Sequence, residues 1–420
     1  MFDSYLARVV DAEIDRALRI AGAVLIEGPR ACGKTETGRE HASSEVLLDT
    51  DTEARALAQV QPSLLLEGAS PRLIDEWQLE PQLWNHVRRT VDDRRTKGNF
   101  ILAGSATPAD DVTRHSGAGR ILRLRMRPMS LFESGHSSGD VSLATILSGE
   151  PVPGSRSPLT VTDVVARLCV GGWPGLLNLA PDEAQHILVS YLDDVARADL
   201  LRADSEEPKR DPVRVRRLLR AYARHVATPA STATIANDTS QSQMAIKADT
   251  AAEYLAMLQR VMVIEEQPSW GPHLRSRDLV RQSSLRHFTD PSLAAAALRA
   301  SPELLLHDLN TLGLLFESMV VRDLRVYSQA LGGTVSHYRD SSGLEADAVV
   351  TLPDGRWIVA EVKLAASQAD AAAKALDRLV AKLDLSRSGA PVARLVITAG
   401  EYAYTRDDGV IVVPLACLGP

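Results

Sequence analysis

The chain has 420 residues, 45% of them apolar and 24% charged, a balance that excludes a disordered chain and provides two or three domain cores at about 150 residues each. A formal charge of −7 excludes a global basic field, so contact with nucleic acid has to come from a local patch. Three scattered cysteines (Cys32, Cys169, Cys417) without zinc spacing, no apolar run of about 18 residues and no leader-like start predict a cytoplasmic chain with no membrane span.

Up to residue 20 acids and bases alternate at helical spacing. From Ala21 the pattern becomes AGAVLIEG, a short apolar run ending in glycine, which predicts a buried strand of a parallel sheet. Gly28-Pro29-Arg30-Ala31-Cys32-Gly33-Lys34-Thr35 follows and fits G-x-x-x-x-G-K-[ST] in full, between that strand and a helix predicted to begin at Lys34. The glycines let backbone N–H groups close around phosphate oxygens. Lys34 is expected to reach the β- and γ-phosphates, and Thr35 to offer its hydroxyl to Mg²⁺. The ligand expected on these eight residues is ATP with Mg²⁺, because no Asn-Lys-x-Asp segment is present to read guanine.

Further strands are predicted at 45–49, 72–75, 99–103 and 121–124, with helices between several of them, so this part reads as an α/β sheet with covered faces. Arg72-Leu-Ile-Asp75-Glu76 supplies an acid at a strand end about 40 residues after the P-loop. Asp75 is placed to order the magnesium waters and Glu76 to polarise the attacking water. Ser105 ends the next apolar strand and reads either as a γ-phosphate sensor or as an ordinary strand-ending serine. Among the arginines that crowd RHSGAGRILRLRMRP, Arg120 is the first candidate and Arg114 the second for an arginine finger, with solvated surface arginines as the other reading. Action in trans by Arg120 would make the protein a homo-oligomer.

Taken together, Gly-Pro-Arg-x-x-Gly-Lys-Thr, Ile-Asp-Glu-x-Gln, Leu-x-Gly-Ser, Gly-Arg before a strand and Arg-Pro-Met-Ser-Leu-x-Glu resemble the bacterial and archaeal P-loop ATPases of the AAA+ superfamily. Gly-Gly-Trp-Pro-Gly (171–175) and Phe-Thr-Asp-Pro-Ser-Leu (288–293) extend the resemblance along the chain, and it implies a C-terminal region of poorly defined function. Cys32 departs from the pattern, since the family usually carries a non-thiol residue there.

Residues 134–158 are rich in Gly, Ser and Pro and predict a connection or inserted loop. The expected partition is an ATPase domain over 1–135, a linker over 136–159, a helical domain over 160–309 and a last domain over 310–420. In the helical part, VRVRRLLRAYARHV (213–226) holds five arginines and no acid. Arg216, Arg220 and Arg224 fall on one face, and Val215, Leu218, Leu219 and Tyr222 on the other. Two more helices, an apolar turn and a basic stretch with Arg275, Arg277 and Arg281 complete the outline of a winged helix. Such a module is expected either to contact DNA or to serve as a plain connector.

Near the C-terminus, LEADAVV and WIVAEVK flank Pro353-Asp354-Gly355, which suits a three-residue hairpin loop. That loop sets Asp347 opposite Glu361 and Glu345 opposite Lys363 on one face. The spacing resembles the PD-(D/E)xK nuclease fold, a restriction-endonuclease-like α/β fold. The resemblance implies that Glu317, Asp347 and Glu361 hold Mg²⁺ while Lys363 assists water attack on a phosphodiester, with Gln368 lining the same site. A solvent-facing strand pair with an ordinary salt bridge is the other reading. The expected function is thus an ATPase whose nucleotide state controls a nucleic-acid-directed C-terminal nuclease. The alternative is a regulatory ATPase with an inactive nuclease-like binding domain.

Overall fold

The computed structural model describes residues 5–104, 117–201, 211–239, 246–272, 283–340 and 342–420, without the side chains of residues 198–201 and of Arg387. Two compact units emerge. The first comprises Met1–Pro128, Trp173–Gly175 and Arg260–Met262, and the second comprises Met129–Gly172, Leu176–Gln259 and Val263–Pro420.

The first unit runs α1 (Asp11–Ile20), β1 (Ala23–Glu27), α2 (Lys34–Glu40), β2 (Ser44–Leu47), α3 (Thr52–Val60), α4 (Pro62–Leu65), β3 (Arg72–Asp75), α5 (Leu83–Arg94), β4 (Phe100–Gly104) and β5 (Ile121–Arg125). Its strands form a parallel sheet in the order β2-β3-β4-β1-β5. β1 and β4 are buried along their length because helices cover both faces, which is why they read as unbroken apolar runs. α5 buries Leu83, Trp84, Val87 and Val91, an apolar stripe at helical spacing, and ends at Arg95 in the left-handed region. Trp84 packs 5.2 Å from Trp77, centroid to centroid, in a core shared with Leu25, Ile74 and Leu102. Truncating Trp84 to alanine would cost about 3–5 kcal/mol. The strand expected at 45–49 pairs over Ser44–Leu47 instead, because its partner β3 is only four residues long.

In the second unit the stretch expected to be a linker is woven into the sheets. It carries β6 (Val141–Ser142), α6 (Leu143–Ser148) and β7 (Ser155–Arg156). Val141, Leu143, Ile146 and Leu147 are buried, so local turn chemistry masked a set of core residues. α7 (Val161–Val170), α8 (Pro181–Leu201), α9 (Pro212–Arg224), α10 (Thr232–Asp238) and α11 (Ala248–Arg260) follow, then α12 (Pro291–Leu298), α13 (Pro302–His307) and α14 (Leu309–Ala330). The remaining elements are β8 (Thr334–Arg339), β9 (Glu345–Thr351), β10 (Trp357–Lys363), α15 (Ala369–Lys382), α16 (Leu385–Ser388), β11 (Ala393–Thr398), β12 (Tyr402–Thr405), β13 (Ile411–Pro414) and β14 (Leu418–Gly419). The sheet order is β7-β12-β13-β11-β10-β9-β8, and β14 pairs with β6. α15 lays Ala372, Ala373, Leu376 and Leu379 against Val349, Val359, Val396 and Val412 of this sheet.

The helical and C-terminal domains, expected to be separate, share this unit. After α9–α11 the chain makes antiparallel bridges, Ile264 with Phe288 and Gln267 with Leu285, and then joins β8 through Ser269 and His337. Trp270 stacks 4.6 Å from Trp357 and donates its indole N–H to Thr351 Oγ1 at 3.1 Å. The described part of the segment that follows the three helices is docked on the C-terminal sheet through these contacts. Arg275, Arg277 and Arg281 lie outside the described residues. A second tie is fully buried: Arg322 bonds Asp290 at 2.8 Å and Asp323 at 2.6 Å. Asp290 in turn accepts from Gly172 N, and Asp323 from Leu131 N. Three of the sequence landmarks noted above therefore meet at one guanidinium.

Candidate functional site

The parallel register brings the carboxyl ends of β1, β3 and β4 to one edge of the first sheet, because Glu27 lies level with Gly104 and Asp75 with Ala103. Ligands of open α/β sheets bind at this edge. The loop from Gly28 to Gly33 crosses it and feeds α2. Gly28 has no room for a side chain, since a Cβ would stand 2.3 Å from Met126 O. Gly33 adopts φ 102, the left-handed conformation that turns the loop into the helix. Ala31 is left-handed too, at φ 61. Cys32 points into the core and is fully buried, so its thiol fills space beneath the loop.

Lys34 is buried and folds back to donate to Pro29 O at 2.8 Å, holding its ammonium over the loop. Thr35 Oγ1 donates to Asp75 Oδ2 at 2.8 Å, which puts a hydroxyl and a carboxylate side by side at the P-loop. Burial, and then the charges of Glu76 and Asp49, raise the Asp75 carboxyl above its ordinary range despite the Thr35 bond. A hard divalent cation suits such a donor pair, because oxygen ligands are what it takes and its charge would reverse this shift. Glu76 follows in the left-handed region at φ 50, ψ 39, and its carboxylate accepts from Gln78 Nε2.

Arg120 sits at the start of β5, level with the start of β1, and so at the opposite edge of the sheet from the P-loop of its own chain. Its guanidinium is half exposed and bonds Asp92 at 2.8 Å. Ser105 and Arg114 lie outside the described residues. Two contributors were not expected from the sequence. Arg8 donates to Cys32 O at 2.9 Å and to Arg127 O at 2.7 Å, clamping the P-loop from the N-terminal segment. Tyr5 bonds both Asp11 and Thr37 of α2. Neither has a local sequence signal. Gln78, in contrast, stood in the Ile-Asp-Glu-x-Gln run two residues after Glu76.

In the second unit β9 and β10 pair antiparallel as far as Ala348 opposite Ala360, and Asp347 and Glu361 are the residues next to that last pair. Asp347 Oδ2 accepts from Val362 N at 2.7 Å. The Lys363 ammonium lies 2.7 Å from Glu361 Oε2 and 3.7 Å from Asp347 Oδ2. Burial, and then the Asp347 charge, push the Glu361 carboxyl up to about 8 and hold Glu317 well above its usual range. Burial alone would lower Lys363, but the two acids outweigh it and its pKa is raised. Among the described residues no group of three or more His, Cys, Asp and Glu side chains is arranged to hold a metal ion. Glu317, Asp347 and Glu361 are therefore no preformed cage, and the positive charge between the two strand acids is the lysine. Glu345 turns outward toward Arg339, and Gln368 is exposed with its amide oxygen directed at Ala365 N.

On α9 the apolar face is buried as expected. Of its basic face, Arg216 is paired with Asp193 at 3.1 Å and Arg224 with Asp238 at 2.6 Å. No helix among the described residues is long and apolar enough to cross a membrane.

Residues 21–134 match a protein family described as AAA domain. Residues 161–304 and 312–418 match two domains of unknown function, DUF8612 and DUF4143. Among curated proteins, the uncharacterized proteins Rv2008c of Mycobacterium tuberculosis and Mb2031c of Mycobacterium bovis are each 24% identical over 409 residues, 96% of this chain and 82% of theirs. Among solved structures, the Walker-type ATPase PABY2304 of Pyrococcus abyssi aligns over 70% of this chain and 97% of its own at 14% identity, with a TM-score of 0.42. The family match and the P-loop on its parallel sheet make residues 21–134 a P-loop ATPase domain.

Proposed function

We propose that the protein binds and hydrolyses ATP with Mg²⁺, and that its nucleotide state controls a nucleic-acid-directed module in the second unit. The observation that carries the first half is the Thr35 to Asp75 contact beside the Lys34 ammonium, which supplies both a cation seat and a phosphate-binding charge. The backbone amides of residues 28–35 would bind the phosphates, and Thr35 and Asp75 would hold the cation shell. Bound Mg²⁺ supplies charge neutralisation of the β- and γ-oxygens. Glu76 is the general base, and Arg120, remote from its own P-loop, is a finger offered in trans to a neighbouring copy.

For the second unit, the acid and lysine cluster of Glu317, Asp347, Glu361 and Lys363 is the reading's nucleic-acid-directed site. Metal-dependent cutting would require the acids to draw together around an ion. The lysine lodged between them favours the alternative, a nuclease-like site that binds without cutting. Nicking assays with Mg²⁺ or Mn²⁺ on the full chain, and on Asp347→Ala and Glu361→Ala, decide between the two. Cutting lost in both variants establishes the nuclease, whereas cutting that survives both, or none at all, rejects it. ATP hydrolysis is measured separately, and its absence would reject the first half.

A further inference from the structure

In the second unit a cavity of about 520 Å³ opens between α8, α9 and the C-terminal end of α12. That size falls within the range of small-ligand sites. Arg216, Arg217 and Arg220 line it from α9 and Arg299 from the end of α12, over apolar wall residues of α8. One acid, Asp193, faces these four arginines, and Arg216 engages it at 3.1 Å. A strong local positive charge results in a chain whose net charge is −7.

One further fact points the charge at a ligand. Arg220 and Arg299 are exposed, and neither side chain has an ion-pair or hydrogen-bond partner among the described residues. Arg299 also stands at φ 58, ψ 42, the left-handed position that closes α12, where glycine is the residue the backbone favours.

Arg299 and Val189 also line a second cavity, of about 560 Å³, so the two form one trough along α8. The chemistry reverses along it. Beyond Arg299 the polar walls carry Gln185 and His186 with two acids, Asp182 and Glu303. A polynucleotide would have to lay its next phosphate against these two carboxylates. A compact ligand with its phosphate at one end meets no such repulsion, and its hydrogen-bonding body finds acceptors at the other.

We propose that this trough binds a free phosphate ester of the nucleotide class. Arg220 and Arg299 hold its phosphate, and its body lies over Val189 toward Gln185, Asp182 and Glu303. The site is separate from the P-loop and does not depend on the ATPase reading. It assigns the basic helix of the 161–304 region to a small anion and not to DNA.

Isothermal titration of the full chain carrying Lys34→Ala, so that the P-loop does not contribute, tests this with inorganic pyrophosphate, AMP, GMP and a 12-nucleotide single strand as probes. Expected is saturable binding of pyrophosphate and of at least one mononucleotide, weakened about tenfold or more by Arg220→Gln and by Arg299→Gly. Arg299→Gly keeps the experiment interpretable, because glycine suits the left-handed position and should leave Tm unchanged or raised. The proposal is overturned if none of these probes binds, or if both variants bind as tightly as the parent. It is equally overturned if the single strand binds more tightly than the mononucleotides and loses that binding in the same variants.

Discussion

Gln78 donates its side-chain amide to the carboxylate of Glu76, and Glu76 itself is held in the left-handed region at φ 50 immediately after Asp75. A bulky residue in that conformation is kept there by its surroundings. The amide oxygen of Gln78 is buried without a partner among the described residues, and Gly104 lies so close that a Cβ there would stand 2.4 Å from it. Gln78 is thus a positioning residue for the proposed base. Glu76→Gln should abolish ATP hydrolysis with nucleotide binding retained. Gln78→Ala should lower kcat about tenfold with KM within about twofold, the pattern of a lost orientation. Steady-state kinetics read both, and a Gln78→Ala change confined to KM would contradict the role.

The P-loop gives a second prediction. Lys34→Ala should remove nucleotide binding, measured with a fluorescent ATP analogue. Asp75→Asn should leave metal-free binding of the nucleotide within about threefold while removing the gain that Mg²⁺ brings. If both variants hydrolyse ATP like the parent, the site lies elsewhere.

The buried pairing of Arg322 with Asp290 and Asp323 predicts a large effect from a single change. Arg322→Ala leaves two carboxylates, both fully buried, without their counter-ion. The expected loss is about 3–5 kcal/mol of stability in the second unit, read as a shift in its urea midpoint. A loss under about 1 kcal/mol would mean that the acids find other partners.

His287 makes stability depend on pH. Its ring nitrogens lie 3.0 Å from Ser318 Oγ and Gln267 Oε1, and burial, followed by the Arg325 charge, holds its pKa well below the ordinary 6.5. The unfolded chain therefore takes up a proton as pH falls below about 6.5 while the folded chain does not. This contribution is full above that pH and is lost below it, by at most about 1.4 kcal/mol per pH unit. Urea midpoints of the parent and of His287→Gln between pH 7.5 and 5.0 should diverge less at the acid end. Taking the difference between the two chains cancels groups that shift the other way, such as His41, whose pKa is raised through its Asp11 bond.

What could be read from the sequence was local. The P-loop and the acid strand end follow from short patterns with a backbone reason behind each residue. The β9 and β10 register follows from a loop of three residues, so Asp347 and Glu361 could be brought together before any coordinates. What stayed hidden depends on distant partners. Nothing near Arg8 tells that its guanidinium will reach Cys32 and Arg127, and nothing near Trp270 announces Trp357. The stretch at 134–158 read as a linker because Gly, Ser and Pro report turns, while the strands that β6 and β7 complete come some 250 residues later.

That last pairing sets an order of events during synthesis. The five-stranded sheet of the ATPase domain has all its strands once residue 125 has emerged. Ser137 and its neighbours must wait for Leu418, 281 residues further on, before their bonds can close. At 5–20 residues per second that is a delay of roughly 15–55 s. During it the apolar side chains of β6 and α6 are exposed to chaperones and to aggregation. A chain stalled or truncated short of β14 should carry a finished nucleotide-binding domain joined to a second unit that cannot close.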